Sequence, residues 1–147
     1  MIQSTLTELL TVNLRRLAGE LQQYPDERKI WVTDKSVSNS AGNLSLHLVG
    51  NLNHFIGVAL GHTGYQRNRD AEFALKDIPR DKIIADIEST IEMIGTVVPS
   101  IPDEQLLQDF PLQWNDRTVS TEFMLIHLSG HLSYHLGQVN YHRRLLG

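Results

Sequence analysis

The side chains able to do chemistry in this chain are its histidines. Seven occur in 147 residues, and four of them, His127, His131, His135 and His142, fall within the last 21. There are no cysteines, which excludes a disulfide scaffold, a cysteine zinc finger, an iron–sulfur cluster and a cysteine nucleophile together. His131 and His135 are spaced i, i+4, so on a helix their imidazoles share one face about one turn apart. Two nitrogens at that separation can reach a common ion at about 2.0–2.1 Å. No acidic residue falls on the same strip, so the natural completion is a third neutral imidazole from a facing helix. Three such ligands leave positions open to water or to a substrate atom, the pattern of a catalytic site and not of a closed structural one. Imidazole suits Zn²⁺, Ni²⁺, Cu²⁺ or Fe²⁺ without choosing among them.

Two helices must present these rings. At about 100° per residue from His131, the other members of the row lie close by: His135 at about +40°, His127 at about −40°, Gln138 at about −20° and His142 at about +20°. Leu128, Leu132, Leu136 and Val139 fall between about +60° and +140°, and Ser129, Ser133, Asn140 and Arg144 on the far side. An imidazole row therefore adjoins a leucine row, and both face inward or along a seam. The stretch from Asn43 to Leu60 repeats the arrangement. From His47, His54 lies at about −20° and Asn51 at about +40°, beside Leu44, Leu48, Leu52 and Phe55. Either His47 or His54 could supply the third ligand. Buried imidazoles without partners are costly, and one ion gives several of them a partner at once. The competing arrangement is a structural seam in which histidines bond to Asn51, Gln138 and Tyr134. His62 reads as a surface loop residue, and His142 as an outer partner of the site or a solvated ring.

The elements that carry these rows read as four long helices. The first has Leu6, Leu10, Leu14, Leu17 and Leu21 at helical spacing, Ser4 as expected N-cap and Pro25 as its end. The second runs from about Asn43 to Leu60 and is stopped by Gly61 and Gly64. The third starts near Asp81 with Ile84, Ile87, Ile91, Ile94 and Val98, and Pro99 closes it. The fourth opens at Ser120 or Thr121, with Glu122 in its first turn, and runs to about Leu145. No segment alternates with the two-residue period of a strand; Arg117-Thr-Val-Ser120 is at most locally extended. Residues 1–147 therefore predict one all-α domain, a four-helix bundle. Its three connections, Pro25 to Gly42, Gly61 to Arg80 and Pro99 to Val119, are long enough to cover a site or a partner surface. Trp31, Tyr65, Phe73 and Trp114 in them are expected to pack onto the helices.

Other function classes find little support. The net charge of −4 gives no basic face for nucleic acid. Leu44 to Leu60 is apolar but interrupted by His47, Asn51, Asn53 and His54, so a buried helix is expected there, not a membrane span. The opening residues lack a secretory leader, and a cytoplasmic location is expected. Asn43-Leu-Ser45 matches a glycosylation pattern by chance. There is no phosphate-binding glycine loop, no Gly-x-Ser-x-Gly elbow and no His-Glu-x-x-His.

Asn43-Leu-Ser-Leu-His47-Leu-Val-Gly50 and His127-Leu-Ser-Gly-His131-Leu-Ser-Tyr-His135-Leu-Gly137-Gln138 together resemble the signature of the DinB/YfiT-like metalloenzyme superfamily, in a branch of no assigned activity. The resemblance covers the whole chain. It implies an up-up-down-down bundle with a long crossover, often a homodimer, holding a divalent metal, Zn or Ni foremost, on His47, His131 and His135. His54 does not match a ligand position and is expected to line the pocket. Asn51, His127 and Gln138 are expected to be pocket residues or to orient the ligand rings.

Relatives within that superfamily include thiol-dependent S-transferases and a thiol-dependent isomerase, in which a metal activates a thiol. The expected activity is accordingly a low-molecular-weight-thiol S-transfer or related detoxification, with a thiol and an electrophile as partners. A metal-dependent hydrolase is the alternative, weakened because no carboxylate lies on either histidine row, although His54 or His127 could serve as its base. A third possibility is a non-enzymatic metal-binding or dimerising bundle. Arg67 and Arg69 could grip a carboxylate of the cosubstrate, although solvated loop charges are the expectation favoured for them.

Overall fold

The computed structural model describes residues 1–147 and is all-helical, with about 71% of the chain in helices and no strand. α1 (Ile2–Gln22) buries the leucine row as expected: Leu6 is 4% exposed and Leu10, Leu14, Leu17 and Leu21 are fully covered. Ser4 is not its cap. The helix starts two residues earlier, and the Ser4 hydroxyl bonds back to the Met1 carbonyl from inside the first turn.

α2 (Ala41–Leu52) begins two residues before Asn43, because Ser40 is the N-cap, its hydroxyl accepting from the Asn43 N–H at 3.1 Å. The helix passes into a π-helical turn, Asn53–Val58, and ends with Ala59–Gly61. His62, in the left-handed region at φ 53°, closes it. Leu46 is the one residue of α2 that is not buried, so this is the central rod of the molecule. Asn43 is fully buried, which removes the apparent glycosylation site.

α3 (Arg69–Ala74) is a short helix inside the second connection, capped by the Asn68 side chain accepting from the Ala71 N–H. Asn43 fastens it to α2 by donating from Nδ2 to the Glu72 and Leu75 carbonyls at 2.9 and 2.8 Å. α4 (Arg80–Val97) turns Ile83, Ile87, Thr90, Ile94 and Val97 inward. The core row thus starts at Ile83. Ile84 and Ile91, expected in it, lie on the shoulder and are partly covered. Pro99 follows in a single 3-10 turn, Val98–Ser100.

α5 (Asp103–Leu106) is one turn. α6 (Thr121–Leu146) is capped by Ser120, whose hydroxyl accepts from the Phe123 N–H, and it buries Leu128, Leu132 and Val139. Its serine and asparagine side meets α1, where Asn13 donates to Ser133 at 3.1 Å and Asn140 to Glu20 at 2.7 Å.

α1, α2, α4 and α6 contribute to one continuous apolar core. The connections pack on it, with the exception of Tyr65. Trp31 is 9% exposed and lies on Gly42, where a Cβ would come within 2.6 Å of the indole. Tyr65 is 38% exposed, its amphipathic ring lying partly in water. Residues 109–120 form a tight turn through Asn115 and Asp116, both with positive φ, closed by Trp114 and Arg117 backbone bonds; these are isolated bridges and make no sheet. No helix is long and apolar enough to cross a membrane.

Candidate metal centre

α2 and α6 pack side by side and bring three imidazoles to one point. His131 Nε2 lies 3.2 Å from His47 Nε2 and 3.1 Å from His135 Nε2. The i, i+4 spacing places His131 and His135 on consecutive turns of α6, and the register of α2 sets His47 opposite them. His54, two turns further along α2, is outside the cluster; it is half-buried and stacks edge-on against Phe55.

The outer ring nitrogens decide which inner nitrogens carry a lone pair. His47 Nδ1–H donates to Glu72 Oε1 at 3.0 Å, and His135 Nδ1–H donates to Gln138 Oε1 at 2.7 Å. Both rings therefore turn bare Nε2 lone pairs toward His131. A single proton on His131 Nε2 could serve only one of them well. His131 Nδ1 is itself buried with no hydrogen-bond partner, and Asn51 Oδ1 is a second such orphan. Three ligand nitrogens about 2.0–2.1 Å from one ion lie about 3.3 Å apart in a tetrahedral array and about 2.9 Å apart at right angles. The observed 3.1 and 3.2 Å fall in that interval, and the donor set is three neutral nitrogens. The residues present fit a divalent ion. Electrostatics agrees: burial, with the neighbouring His135, His47, His127 and Arg67, pushes His131 down to about 4. Burial also lowers His47, against the opposing pull of Glu72. Neutral rings are the form a metal needs.

Glu72 is the residue sequence reasoning missed. It is 6% exposed, and Arg67 grips it from Nε and from the guanidinium end at 2.9 and 3.0 Å. Arg67 is therefore no solvated loop charge; it is largely buried and committed to Glu72, so it has no free fork for a substrate carboxylate. Arg69 is exposed, with its guanidinium 5.4 Å above Phe73, whose ring in turn lies 4.9 Å from that of His47. The one sequence signal for Glu72 was Asn68 followed by acidic residues, which marks a helix start and says nothing of where that helix docks.

The remaining expectations divide. Gln138 accepts a hydrogen bond from a ring of the cluster, His135. His127 orients none: its Nε2 accepts from Trp114 Nε1 at 3.2 Å, which ties the third connection to α6. His142 is neither solvated nor near the cluster's chemistry. It is 5% exposed, accepts at Nδ1 from the Tyr24 hydroxyl and donates from Nε2 to the Val32 carbonyl. Its i+7 spacing from His135 puts it on the right side of α6 but beside the Pro25–Gly42 connection, which satisfies it. His62 is exposed, as expected.

Residues 4–147 match the model of a family described as "Protein of unknown function (DUF1572)", which is a DinB/YfiT-like family. No curated protein matches the chain.

Proposed function

Since the chain belongs to the DUF1572 family, whose description names no activity, we propose from its own side chains that it is a divalent-metal-dependent enzyme using His47, His131 and His135 as ligands. The observation that carries this reading is the convergence of three Nε2 atoms at 3.1–3.2 Å around His131, two of them turned lone-pair inward by Glu72 and Gln138. An ion held there, Zn²⁺ or Ni²⁺ by the family resemblance, would supply Lewis-acid activation of a thiol or of water.

The protein's own groups favour the thiol. A hydrolase of this kind needs a residue free to take a proton. Glu72 sits on the outer nitrogen of His47 and is fully engaged by that ring and by Arg67. A thiol needs less help, because coordination alone lowers its pKa. Phe73 against His47 and Tyr134 against His135 offer apolar surface beside the rings for the electrophile. The proposed activity is S-transfer from a low-molecular-weight thiol to a small electrophile, with hydrolysis as the second reading. The family resemblance adds an up-up-down-down four-helix arrangement and a homodimer to the proposal.

Two measurements test it. Elemental analysis of the purified protein is expected to give close to one divalent ion per chain. Conjugation of several thiols to an aryl halide electrophile, with and without added Zn²⁺ or Ni²⁺, is expected to show turnover only with metal. Metal binding without turnover by any thiol would sink the transferase reading, and ester hydrolysis by the same samples would establish the second. Absence of bound metal would leave a structural seam.

A further inference from the structure

A carboxylate buried beside a candidate ligand calls for a reason, since burying a charge is costly until its partners compensate. Glu72 comes from a six-residue helix, not from either histidine row, and three separate features deliver it to His47. Asn43 anchors the backbone of α3 through the Glu72 carbonyl. Arg67, five residues earlier, fixes the carboxylate by a two-pronged pairing. Gly50, three residues after His47, leaves the space: a Cβ there would overlap Glu72 Oε2. Each bond direction follows from chemistry. An ionised carboxylate only accepts, so His47 must carry its proton on Nδ1 and present Nε2 to His131.

We propose that Glu72 is the positioning residue of the metal centre, setting the tautomer and ring angle of His47, with Arg67 holding the carboxylate and Gly50 admitting it. The inference rests on the three-histidine reading. Arg67 matters because it matches the carboxylate charge with its own. The ligand set thereby gains an oriented hydrogen bond while the local charge of the Arg67–Glu72 pair stays near zero. Glu72 does not touch the reacting groups; it acts through His47. An oriented partner of this kind is typically worth about 10–100-fold in metal affinity.

The test is a Zn²⁺ titration of the metal-free full chain against a chromophoric chelator, with ¹⁵N NMR of the imidazole rings on the same metal-free samples. Wild type is expected to bind, and His131→Ala to lose binding. Glu72→Ala is expected to weaken Zn²⁺ about 10–100-fold and to release His47 into a mixture of tautomers. Glu72→Gln, which keeps an acceptor oxygen for Nδ1–H, is expected to stay within about tenfold of wild type. Gly50→Ala alters no polar group, yet it is expected to weaken Zn²⁺ in the direction of Glu72→Ala by displacing the carboxylate. If Glu72→Ala does not fold by circular dichroism, Gly50→Ala and Glu72→Gln decide the matter. Failure of the wild type to bind Zn²⁺ overturns the three-histidine reading and this inference with it. Binding that His131→Ala abolishes but Glu72→Ala and Gly50→Ala leave unchanged, with His47 still a single tautomer, overturns this inference alone.

Discussion

His131 and His142 ride on the same side of the same helix, three turns apart, yet their surroundings are opposite in kind. Around His142 every ring nitrogen is answered: the Tyr24 hydroxyl donates to one at 2.6 Å and the other donates to the Val32 carbonyl at 2.7 Å. Around His131 one nitrogen is buried without a partner and the other meets two more imidazole nitrogens head-on. The buried ring is the satisfied one, His142, while His131 is only half-buried, so burial alone does not mark a site. The distinction is whether the protein has completed the hydrogen-bonding capacity of the ring or left it for something else.

That contrast can be broken most sharply by exchanging the two residues' fates. His131→Ala is expected to abolish near-stoichiometric metal, a loss of at least about 100-fold in affinity, because it removes the nitrogen shared by both contacts. His142→Gln is expected to leave metal content unchanged by elemental analysis. Equal metal loss in the two variants would erase the difference between the two rings. The stabilities should run the other way. His142→Ala strands the Tyr24 hydroxyl and the Val32 carbonyl, costing about 1–3 kcal/mol in denaturant unfolding, whereas His131→Ala removes a ring that already lacks a partner at Nδ1. Next in size is Gln138→Ala. It frees the outer nitrogen of His135 at an exposed position, where water can substitute, and is expected to weaken Zn²⁺ about tenfold, at the low end for such partners. The remaining effect is on pH. The folded state holds His131 down to about 4, while an unfolded histidine titrates near 6.5. Between those values the unfolded chain binds the extra proton, so this contribution is complete above about pH 6.5 and is lost as pH falls toward 4. Melting of metal-free protein at pH 7.5, 5.5 and 4.5 is expected to show a steeper acid decline in wild type than in His131→Ala; parallel declines would mean the ring is not held neutral.

The same contrast explains what could be read from the chain. The leucines of α1 and the pair His131 and His135 announce themselves through spacing, since helical geometry converts sequence separation directly into a shared face. Gln138 follows by the same rule, three residues beyond His135. The long helices are legible for this reason, and Ser120 marks the start of α6. Spacing carries no information about which connection folds over which ring. Val32, which completes His142, and Glu72, which orients His47, both arrive on connections, from 110 and 25 residues away in sequence. α3 and α5 are too short to display a period. Arg67 looked like loop charge because its partner lies on α3, a helix of six residues with no apolar row. Ile83 took the inner place expected for Ile84 because a row of isoleucines one residue apart leaves the register to tertiary packing.

The widened turn at Asn53–Val58 has a consequence for how this protein tolerates changes in length. A π turn accommodates a residue more than an α turn over nearly the same rise. The surplus is parked downstream of His47, Gly50 and Asn51. Deleting one residue there would let the segment relax to ordinary α-helix, disturbing only the short Ala59–Gly61 stretch beyond it. Deleting one residue between Ser40 and His47 would instead swing that imidazole by about 100° relative to the cap and the α3 anchor. The central rod thus has slack on one side of its ligand and none on the other.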